Sequence, residues 1–370
     1  MSVYWSEKVK SIKPYIPGEQ PRDRKFIKLN TNENPYPPSP KVIEAINRAA
    51  GDTLRLYPDP DSRELCAIIA AHYGLNEDEV FTGNGSDEVL AFSFPAFFNS
   101  DGSPIHFPDI TYSFYPVYGD LWNIPYNTIP LDIDFSIKIK PYLDLFAEKN
   151  SQGMIFPNPN APTGIYLPVD KVRELAEAAR LSNKVLIVDE AYIAFGEDCD
   201  KDYSSLSLLN EFQNLLLVRT LSKEMSLAGL RLGFALGDKE LINGIKRIKN
   251  SYNSYPVDRL AEAGAIAAIN DYTYYKEIAK KIVNTRKNTV SVLNEMGFTV
   301  LPSEANFIFV SPPGDRGINA SGLFNLLKER DILVRYFNKP GITDYLRISI
   351  GLDKEMDLLL NECREILKGN

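Results

Sequence analysis

The sequence predicts an α/β protein with a parallel sheet and a smaller α+β part towards its C-terminal end. Two observations lead to this prediction. Over residues 80–249, short apolar runs of strand length alternate with helical patterns, which is typical of a parallel sheet covered by helices. A break follows at residues 251–256, and beyond it a long helical stretch precedes three further apolar runs. The change of pattern predicts a second, smaller unit.

The elements can be assigned in chain order. A helix is predicted from Ser39, because Val42, Ile43, Ile46 and Ala49 recur at helical spacing on one face. The apolar runs predict strands at residues 80–82, 104–107, 154–156, 185–188, 215–218 and 234–236, and then at residues 306–310, 332–336 and 346–350. We find no internal repeat that would indicate a solenoid or a propeller.

Length and composition agree with a globular enzyme of two units. A chain of 370 residues exceeds the size at which a single core usually keeps growing. The net charge of −8 is spread without long runs of one sign, which argues against nucleic acid or an anionic membrane as the main partner. No apolar stretch approaches the ~18 residues of a membrane span, and the first residues lack the apolar core of a signal peptide. The sequence therefore predicts a cytoplasmic protein.

Cysteine and histidine are too sparse to predict a metal or disulfide framework. Cys66, Cys199 and Cys363 are odd in number, far apart and without C-x-x-C spacing. Only two histidines, His72 and His106, are available as further metal ligands. We therefore predict neither a disulfide nor a metal site.

Chemically informative side chains follow two of the predicted strands. Lys223 comes just past the run at 215–218, and Arg231 follows eight residues later. Asp189 and Tyr192 come directly after the run at 185–188. Open α/β sheets place ligands at such strand ends. A lysine for a Schiff base, an acid for a pyridinium nitrogen, a phenol for a ring hydroxyl and an arginine for a phosphate are the groups that hold pyridoxal 5'-phosphate. The alternative is a solvated surface lysine.

Two further segments follow predicted strands. Residues 83–88, Gly-Asn-Gly-Ser-Asp-Glu, predict either a phosphate cradle at a helix N-terminus or an ordinary glycine turn with a capping side chain. Asp87 would repel a phosphate, so the cradle requires that its carboxylate turn back to cap the helix. Residues 158–164, Asn-Pro-Asn-Ala-Pro-Thr-Gly, predict either part of a site or a proline-stiffened turn.

Several other side chains are candidates for ligand contact. Tyr112 or Tyr115 could stack on a flat cofactor. Arg335 and Arg347 lie in otherwise apolar strands, where a cation needs an anion, either a protein carboxylate or a bound substrate. The proline-rich segment 14–40 is either a linker or the wall of a cleft, to which it would contribute asparagines and tyrosines.

Taken together, these motifs resemble the fold-type I pyridoxal-phosphate aminotransferases over nearly the whole chain. The matching segments are residues 29–35, 57–59, 85–88, 160–164, 189–192, 222–223, 229–231, 305–307 and 346–348. The resemblance implies an aspartate-aminotransferase-like fold, in which a large domain has a mostly parallel mixed sheet sandwiched by helices and a smaller domain is α+β. It places the large domain at residues 46–255, and the N-terminal arm with the small domain at residues 1–45 and 256–370.

The resemblance also implies roles for individual residues. Lys223 would carry the cofactor and shuttle a proton, Asp189 would face the pyridine nitrogen, Tyr192 would bind the ring oxygen and Tyr112 would stack on the ring. The phosphate would be held by Gly85, Ser86, Asp87, Thr220, Ser222 and Arg231, with Tyr57 reaching in from the second subunit of a homodimer. The ends of the substrates would be bound by Tyr15, Asn32, Arg335 and Arg347.

One position departs from the pattern of this family. Most relatives carry Asn directly before Pro-Thr-Gly, where its amide bonds the ring oxygen, and here that residue is Ala161. Alanine cannot donate, so Tyr192 is the main candidate for this bond and Asn160 a possible substitute.

The resemblance implies ping-pong transfer of an amino group between L-histidinol phosphate and 2-oxoglutarate, as in histidine biosynthesis. Within the same fold, decarboxylation of threonine phosphate and transamination of aromatic amino acids remain open. A non-catalytic or regulatory cofactor-binding protein is the alternative of a different class.

Overall fold

The structure is a computed structural model that describes residues 2–16, 18–20, 25–198 and 201–369. Its α-helices are α1 (Glu7–Ser11), α2 (Pro40–Ala49), α3 (Arg63–Tyr73), α4 (Gly85–Phe97), α5 (Phe114–Trp122), α6 (Ile139–Ala147), α7 (Val169–Leu181), α8 (Lys239–Tyr252), α9 (Arg259–Asn270), α10 (Tyr272–Glu295), α11 (Ala320–Glu329) and α12 (Asp353–Gly369). Its strands are β1 (Ile27–Lys28), β2 (Val80–Gly83), β3 (Ile105–Pro108), β4 (Tyr126–Ile129), β5 (Gly153–Pro157), β6 (Val185–Asp189), β7 (Leu215–Thr220), β8 (Gly233–Gly237), β9 (Thr299–Val300), β10 (Phe307–Ser311), β11 (Ile332–Leu333), β12 (Arg335–Tyr336) and β13 (Leu346–Ser349).

The predicted α/β class is confirmed by the main sheet, whose strand order is β2-β8-β7-β6-β5-β3-β4. Strand β8 runs antiparallel to both of its neighbours, and the other pairs are parallel, so the sheet is mixed. Ile187 belongs to one hydrophobic cluster, while Leu186 and Val188 belong to another. Because neighbouring side chains in a strand point to opposite faces, both faces of the sheet are buried.

The registers place several strand ends at one edge of this sheet. Pro157 is opposite Asp189 in the pairing of β5 with β6. Gly233 is opposite both Gly83 and Thr220, because β8 lies between β2 and β7. The residues that follow β2, β5, β6 and β7 therefore all leave the sheet on the same side, as the sequence predicted for Asp189 and Lys223.

Residues near the C-terminus form the four-stranded antiparallel sheet β12-β13-β10-β9. The prediction of one continuous strand at 332–336 was wrong. Strand β11 pairs in parallel with β1 from the N-terminal arm, whereas β12 pairs with β13, so Val334 separates two strands that belong to different sheets. The pairing with the arm is invisible in a local pattern, since its partners are some 300 residues apart in sequence.

The helices follow the predicted pattern with one exception. Ser39 accepts a bond from Lys41 N at 3.3 Å and caps α2, as expected. Val42 is buried but Ile43 is 49% exposed, so the apolar face predicted for this helix is buried only in part. The predicted break at 251–256 is confirmed, because α8 ends at Tyr252 and α9 begins only at Arg259.

The remaining predictions at this level have mixed outcomes. Strand β4 was not predicted from the sequence. It lies at the edge of the sheet and has no fully buried side chain, so no buried apolar run marks it in the sequence. Cys66 and Cys363 are buried free thiols, and Cys199 lies outside the described residues. In the part of the chain that the structure describes, no helix combines the length and hydropathy needed to cross a bilayer. The domain boundaries at residues 45 and 255 stay a prediction.

Candidate active site

A cavity of about 410 Å³ opens at the strand-end edge of the main sheet. Its volume is within the range of about 300–1,000 Å³ that is usual for ligand sites. The predicted site residues that line it are Tyr15, Asn32, Ser86, Asp87, Tyr112, Asp189, Tyr192, Thr220, Ser222, Lys223, Arg231, Arg335 and Arg347. Gly85, Asn160 and Tyr57 are not among its lining residues. The structure thus brings most of the predicted side chains from the arm, the main sheet and the small sheet to one place.

Lys223 stands three residues beyond the end of β7 with its amine in this cavity. Its Nζ donates to Thr31 O at 3.2 Å and lies 5.9 Å from the centroid of the Tyr192 ring. Burial, assisted by the nearby Arg347 guanidinium, lowers the pKa of Lys223 to about 8. A larger fraction of this amine is therefore neutral near pH 7 than of an ordinary lysine, as nucleophilic or base chemistry requires.

Asp189 is the last residue of β6 and is buried at the floor of the cavity. Its Oδ2 accepts from Tyr115 Oη at 3.2 Å, and its Oδ1 accepts from Ala191 N at 3.2 Å. Burial raises the pKa of Asp189 to about 7 despite these two bonds. Such a carboxylate is stabilised by a cation placed against it.

This raised pKa predicts how stability depends on pH. Between about pH 4 and 7 the folded, ligand-free protein holds a proton on Asp189 that the unfolded chain has lost, so the free energy of unfolding should fall as pH rises. We expect Asp189→Asn to remove up to ~1.4 kcal/mol per pH unit of this slope in urea unfolding of the ligand-free protein. Asp357→Asn, at an exposed carboxylate, is the control. Equal slopes in wild type and Asp189→Asn would contradict the assignment.

Two tyrosines line the cavity with their hydroxyls bonded to protein groups. Tyr192 Oη accepts from Asn32 Nδ2 at 3.0 Å, and the Tyr192 ring meets Phe307 edge-on at a centroid distance of 5.0 Å. Tyr112 Oη donates to Asp87 Oδ1 at 2.6 Å. Burial raises the pKa of both phenols, so both stay protonated at neutral pH.

An anion cradle is formed where α4 begins. Gly85 has φ +80°, a left-handed conformation that favours glycine, and a Cβ there would lie 2.7 Å from Arg231 Nη2 and would require that guanidinium to shift. The first amides of α4 have no partner within the helix, and two of the residues that carry them, Ser86 and Asp87, line the cavity. Thr220 Oγ1 donates to Ser222 Oγ at 2.9 Å on the facing loop. The α4 amides, the Ser222 hydroxyl and the Arg231 guanidinium thus offer donors around a position suited to a phosphate.

The Asp87 carboxylate does not turn back to cap α4, which was the condition set from the sequence for the cradle. Its carboxylate accepts from Tyr112 and forms an ion pair with Arg231, with Nη2 to Oδ2 at 3.2 Å. The Tyr112 hydroxyl and the Arg231 guanidinium thus offset the negative charge of the Asp87 carboxylate at the cavity wall, the role that the helix amides would have in a capping bond. Its backbone amide is still one of the first amides of α4.

The loop after β5 presents Ala161 to the cavity instead of Asn160. Asn160 Nδ2 donates to Ile110 O at 3.0 Å and to Thr163 Oγ1 at 3.2 Å. These bonds hold the Asn160 amide away from the cavity, so in this arrangement it does not substitute for the side chain absent at Ala161.

Arg335 and Arg347 are paired across β12 and β13 and both reach the cavity. Arg347 Nη2 donates to Asn30 O at 3.1 Å, and the Arg347 guanidinium lies over the rings of Phe307 and Phe337 at 5.4 and 5.5 Å. Arg347 Nε is buried without a hydrogen-bond partner among the residues that the structure describes, and burial lowers the Arg347 pKa. Among the described residues, neither arginine forms an ion pair with a carboxylate. Of the two anions that the sequence allowed here, a bound ligand is the one that this geometry supports.

Tyr57 lies on the outer surface. Its side chain is 77% exposed and stacks on Tyr255 with ring centroids 4.7 Å apart. Leu54 and Leu56 nearby are about half exposed as well. The role of Tyr57 in a neighbouring subunit stays a prediction.

Sequence reasoning missed several residues of the cavity, among them Thr31 and Glu33. Both lie in segment 14–40, for which the sequence left the choice between a linker and a cleft wall, and described residues of this segment do line the cavity. Glu33 pairs with Lys28 at 2.7 Å. Ser349, one strand residue beyond Ile348, was also missed, and it holds Asn32.

The fold and this cavity define an aminotransferase. The family model for aminotransferase class I and II matches residues 24–362, so the chain belongs to that family. It is 51% identical to a histidinol-phosphate aminotransferase of Clostridium botulinum (strain 657 / Type Ba4) over 99% of both chains. It is 52% identical to the histidinol-phosphate aminotransferase of Clostridium beijerinckii over 100% of this chain and 99% of the relative.

A solved structure has the same fold as this chain. The histidinol-phosphate aminotransferase from Sinorhizobium meliloti, in complex with pyridoxal-5'-phosphate, is 26% identical and superposes with a TM-score of 0.88 over 100% of this chain and 99% of that one. The predicted aspartate-aminotransferase-like architecture is thereby confirmed.

Proposed function

We propose that this chain transfers an amino group between L-histidinol phosphate and 2-oxoglutarate with pyridoxal 5'-phosphate as its cofactor. The observation that carries the proposal is the convergence on one cavity of a low-pKa lysine, a buried acid and two arginines that form no ion pair with a carboxylate of the described residues. The names of its half-identical relatives support the choice of substrate.

The cavity suits the cofactor group by group. The amides at the start of α4, Ser222 and Arg231 offer donors to a phosphate at the Gly85 cradle. The buried Asp189 carboxylate would be stabilised by a neighbouring cation, and the protonated ring nitrogen of the cofactor is such a cation. When bound, pyridoxal 5'-phosphate takes up the electron pair released at the substrate carbon.

Lys223 is the group we propose to bond to the cofactor and to move the proton at the substrate carbon. Its lowered pKa keeps a fraction of the amine neutral, and the bond to Thr31 O holds Nζ within the cavity. Tyr112, fixed by Asp87, provides a ring for stacking on the cofactor.

Arg335 and Arg347 suit the anionic ends of both substrates. Each substrate carries an anion remote from its reacting nitrogen or carbonyl, a phosphate in one and a carboxylate in the other. Two adjacent guanidiniums can bind either anion in turn, as a ping-pong reaction on one site requires. Tyr15 lines the cavity as well. We propose Arg347 as the clamp for the carboxylate.

We also propose a homodimer in which Tyr57 reaches the phosphate of the second subunit. The exposure of Tyr57, Leu54 and Leu56 and the half-exposed side chain of Arg231 support this arrangement. Sedimentation of the holoprotein tests this proposal. A protein that sediments as a monomer and still binds the cofactor tightly would contradict it. A cytoplasmic location stays a prediction.

A turnover assay tests the substrate. We expect the purified protein with added cofactor to turn over histidinol phosphate only when 2-oxoglutarate is present, at a kcat/KM above that for phenylalanine. Release of carbon dioxide from threonine phosphate without an oxo acid would select decarboxylation instead. A higher kcat/KM for phenylalanine would select an aromatic aminotransferase, and binding of the cofactor without any turnover would indicate a non-catalytic protein.

A further inference from the structure

Asn32 is held in one conformation by two other segments of the chain. It is buried with φ +54°, a left-handed conformation that asparagine tolerates better than most residues. Its backbone N–H donates to Ser349 Oγ at 2.8 Å, and its backbone carbonyl accepts from Asn306 Nδ2 at 3.0 Å. The Asn32 backbone is therefore fixed between these two segments.

The two ends of the Asn32 amide are bonded to different side chains. Ser349 Oγ donates to Asn32 Oδ1 at 3.0 Å, and Asn32 Nδ2 donates to Tyr192 Oη at 3.0 Å. The bond from Ser349 fixes which end of the amide faces Tyr192. Were the amide reversed, its oxygen would face Tyr192 and accept a hydrogen bond from the phenol O–H.

This orientation decides what Tyr192 can do. Its oxygen already accepts from Asn32, so the single phenol proton remains available for an acceptor in the cavity. The loop after β5 offers no competing donor, because Ala161 has none and the Asn160 amide is bonded elsewhere. The charged groups around the phenol are Arg347, Lys223, Asp189 and Asp87.

We propose that Ser349 and Asn32 are positioning residues, which act through Tyr192 to hold its hydroxyl as a donor to the cofactor's ring oxygen. Asn32 thereby has a role different from the substrate contact that the sequence suggested. The proposal rests on the proposed cofactor, but not on the identity of the substrate.

The spectral pKa of the bound cofactor reports this hydrogen bond without any turnover. A donor to the ring oxygen stabilises its negative charge. The proton on the nitrogen that would join the cofactor to Lys223 lies next to this oxygen. When the donor turns away, the negative charge on the oxygen is less stabilised and holds that proton more tightly, so the spectral pKa rises. For a bond with a net contribution of roughly 0.5–1.5 kcal/mol, the rise is about 0.4 to 1 pH unit.

The experiment is a pH titration of the visible spectrum of the holoprotein for wild type, Ser349→Ala and Ser349→Thr. We expect a rise of about 0.4 to 1 unit for Ser349→Ala, and a value near wild type for Ser349→Thr, which keeps the hydroxyl. In a Tyr192→Phe background, Ser349→Ala should produce no further shift. An unshifted Ser349→Ala, or an equal shift in both backgrounds, would overturn the proposal.

A third variant keeps the test informative if Ser349→Ala fails to bind the cofactor. Ala161→Asn adds a donor at the cavity wall and should lower the spectral pKa, because the ring oxygen then no longer depends on Tyr192 alone. Relative to wild type, the spectral pKa should rise less in the double variant Asn32→Ala/Ala161→Asn than in Asn32→Ala alone. Equal rises in these two variants would count against the proposal. Failure of the wild-type protein to bind pyridoxal 5'-phosphate would instead overturn the proposed function.

Discussion

Lys223→Ala is expected to reduce multiple-turnover amino transfer by at least ~10⁴-fold, which is the upper range for loss of one general acid or base. The reason is that this amine, held at Thr31 O with a pKa of about 8, is the one we propose to form the bond to the cofactor and to move the proton. Steady-state assays with histidinol phosphate and 2-oxoglutarate measure the loss.

The matched control is Lys239→Ala, which removes an exposed lysine at the start of α8. It should keep the wild-type rate. Circular dichroism and the cofactor content of Lys223→Ala separate loss of chemistry from loss of fold. Multiple turnover within tenfold of wild type in Lys223→Ala would contradict the role of this residue.

Arg347→Met is expected to raise KM for 2-oxoglutarate by roughly 30- to 5,000-fold, as for loss of one partner of a buried ion pair worth about 2–5 kcal/mol. Methionine fills much of the space between Phe307 and Phe337 but offers no donor to a carboxylate. The same change should not lower the melting temperature of the ligand-free protein, because it removes a buried cation that has no carboxylate partner within the described ranges of the chain.

Arg335→Met is the comparison for this prediction, since it removes the neighbouring guanidinium in the same register. If Arg347 is the carboxylate clamp, KM for 2-oxoglutarate should rise more in Arg347→Met than in Arg335→Met. An unchanged KM in Arg347→Met, or a larger rise in Arg335→Met than in Arg347→Met, would indicate that Arg335 binds the carboxylate instead.

The core of the fold and the chemical centre of the site follow from local sequence. Strands β5, β6 and β7 are short apolar runs buried on both faces, so they are visible without any knowledge of their neighbours. Parallel strands bring their carboxyl ends to one edge, which is why the convergence of Asp189 and Lys223 was predictable from their positions after two runs.

What the sequence could not predict depends on contacts between distant segments. The run at 332–336 looks like one strand, and only its pairing with β1 and β13 divides it. Ser349 and Asn32 are 317 residues apart, so no local pattern links them. Asn160 and Ala161 are neighbours, and which of them faces the cavity depends on bonds to Ile110 and Thr163.

The most direct test of this account is to locate the lysine that carries the cofactor. Holoprotein is reduced with borohydride, which makes the bond between cofactor and lysine permanent, and is then digested and mapped by mass spectrometry. We expect the added pyridoxyl phosphate on the peptide that contains Lys223, and none on that peptide in Lys223→Ala. A label on any other lysine, or none on the wild-type protein, would contradict the account.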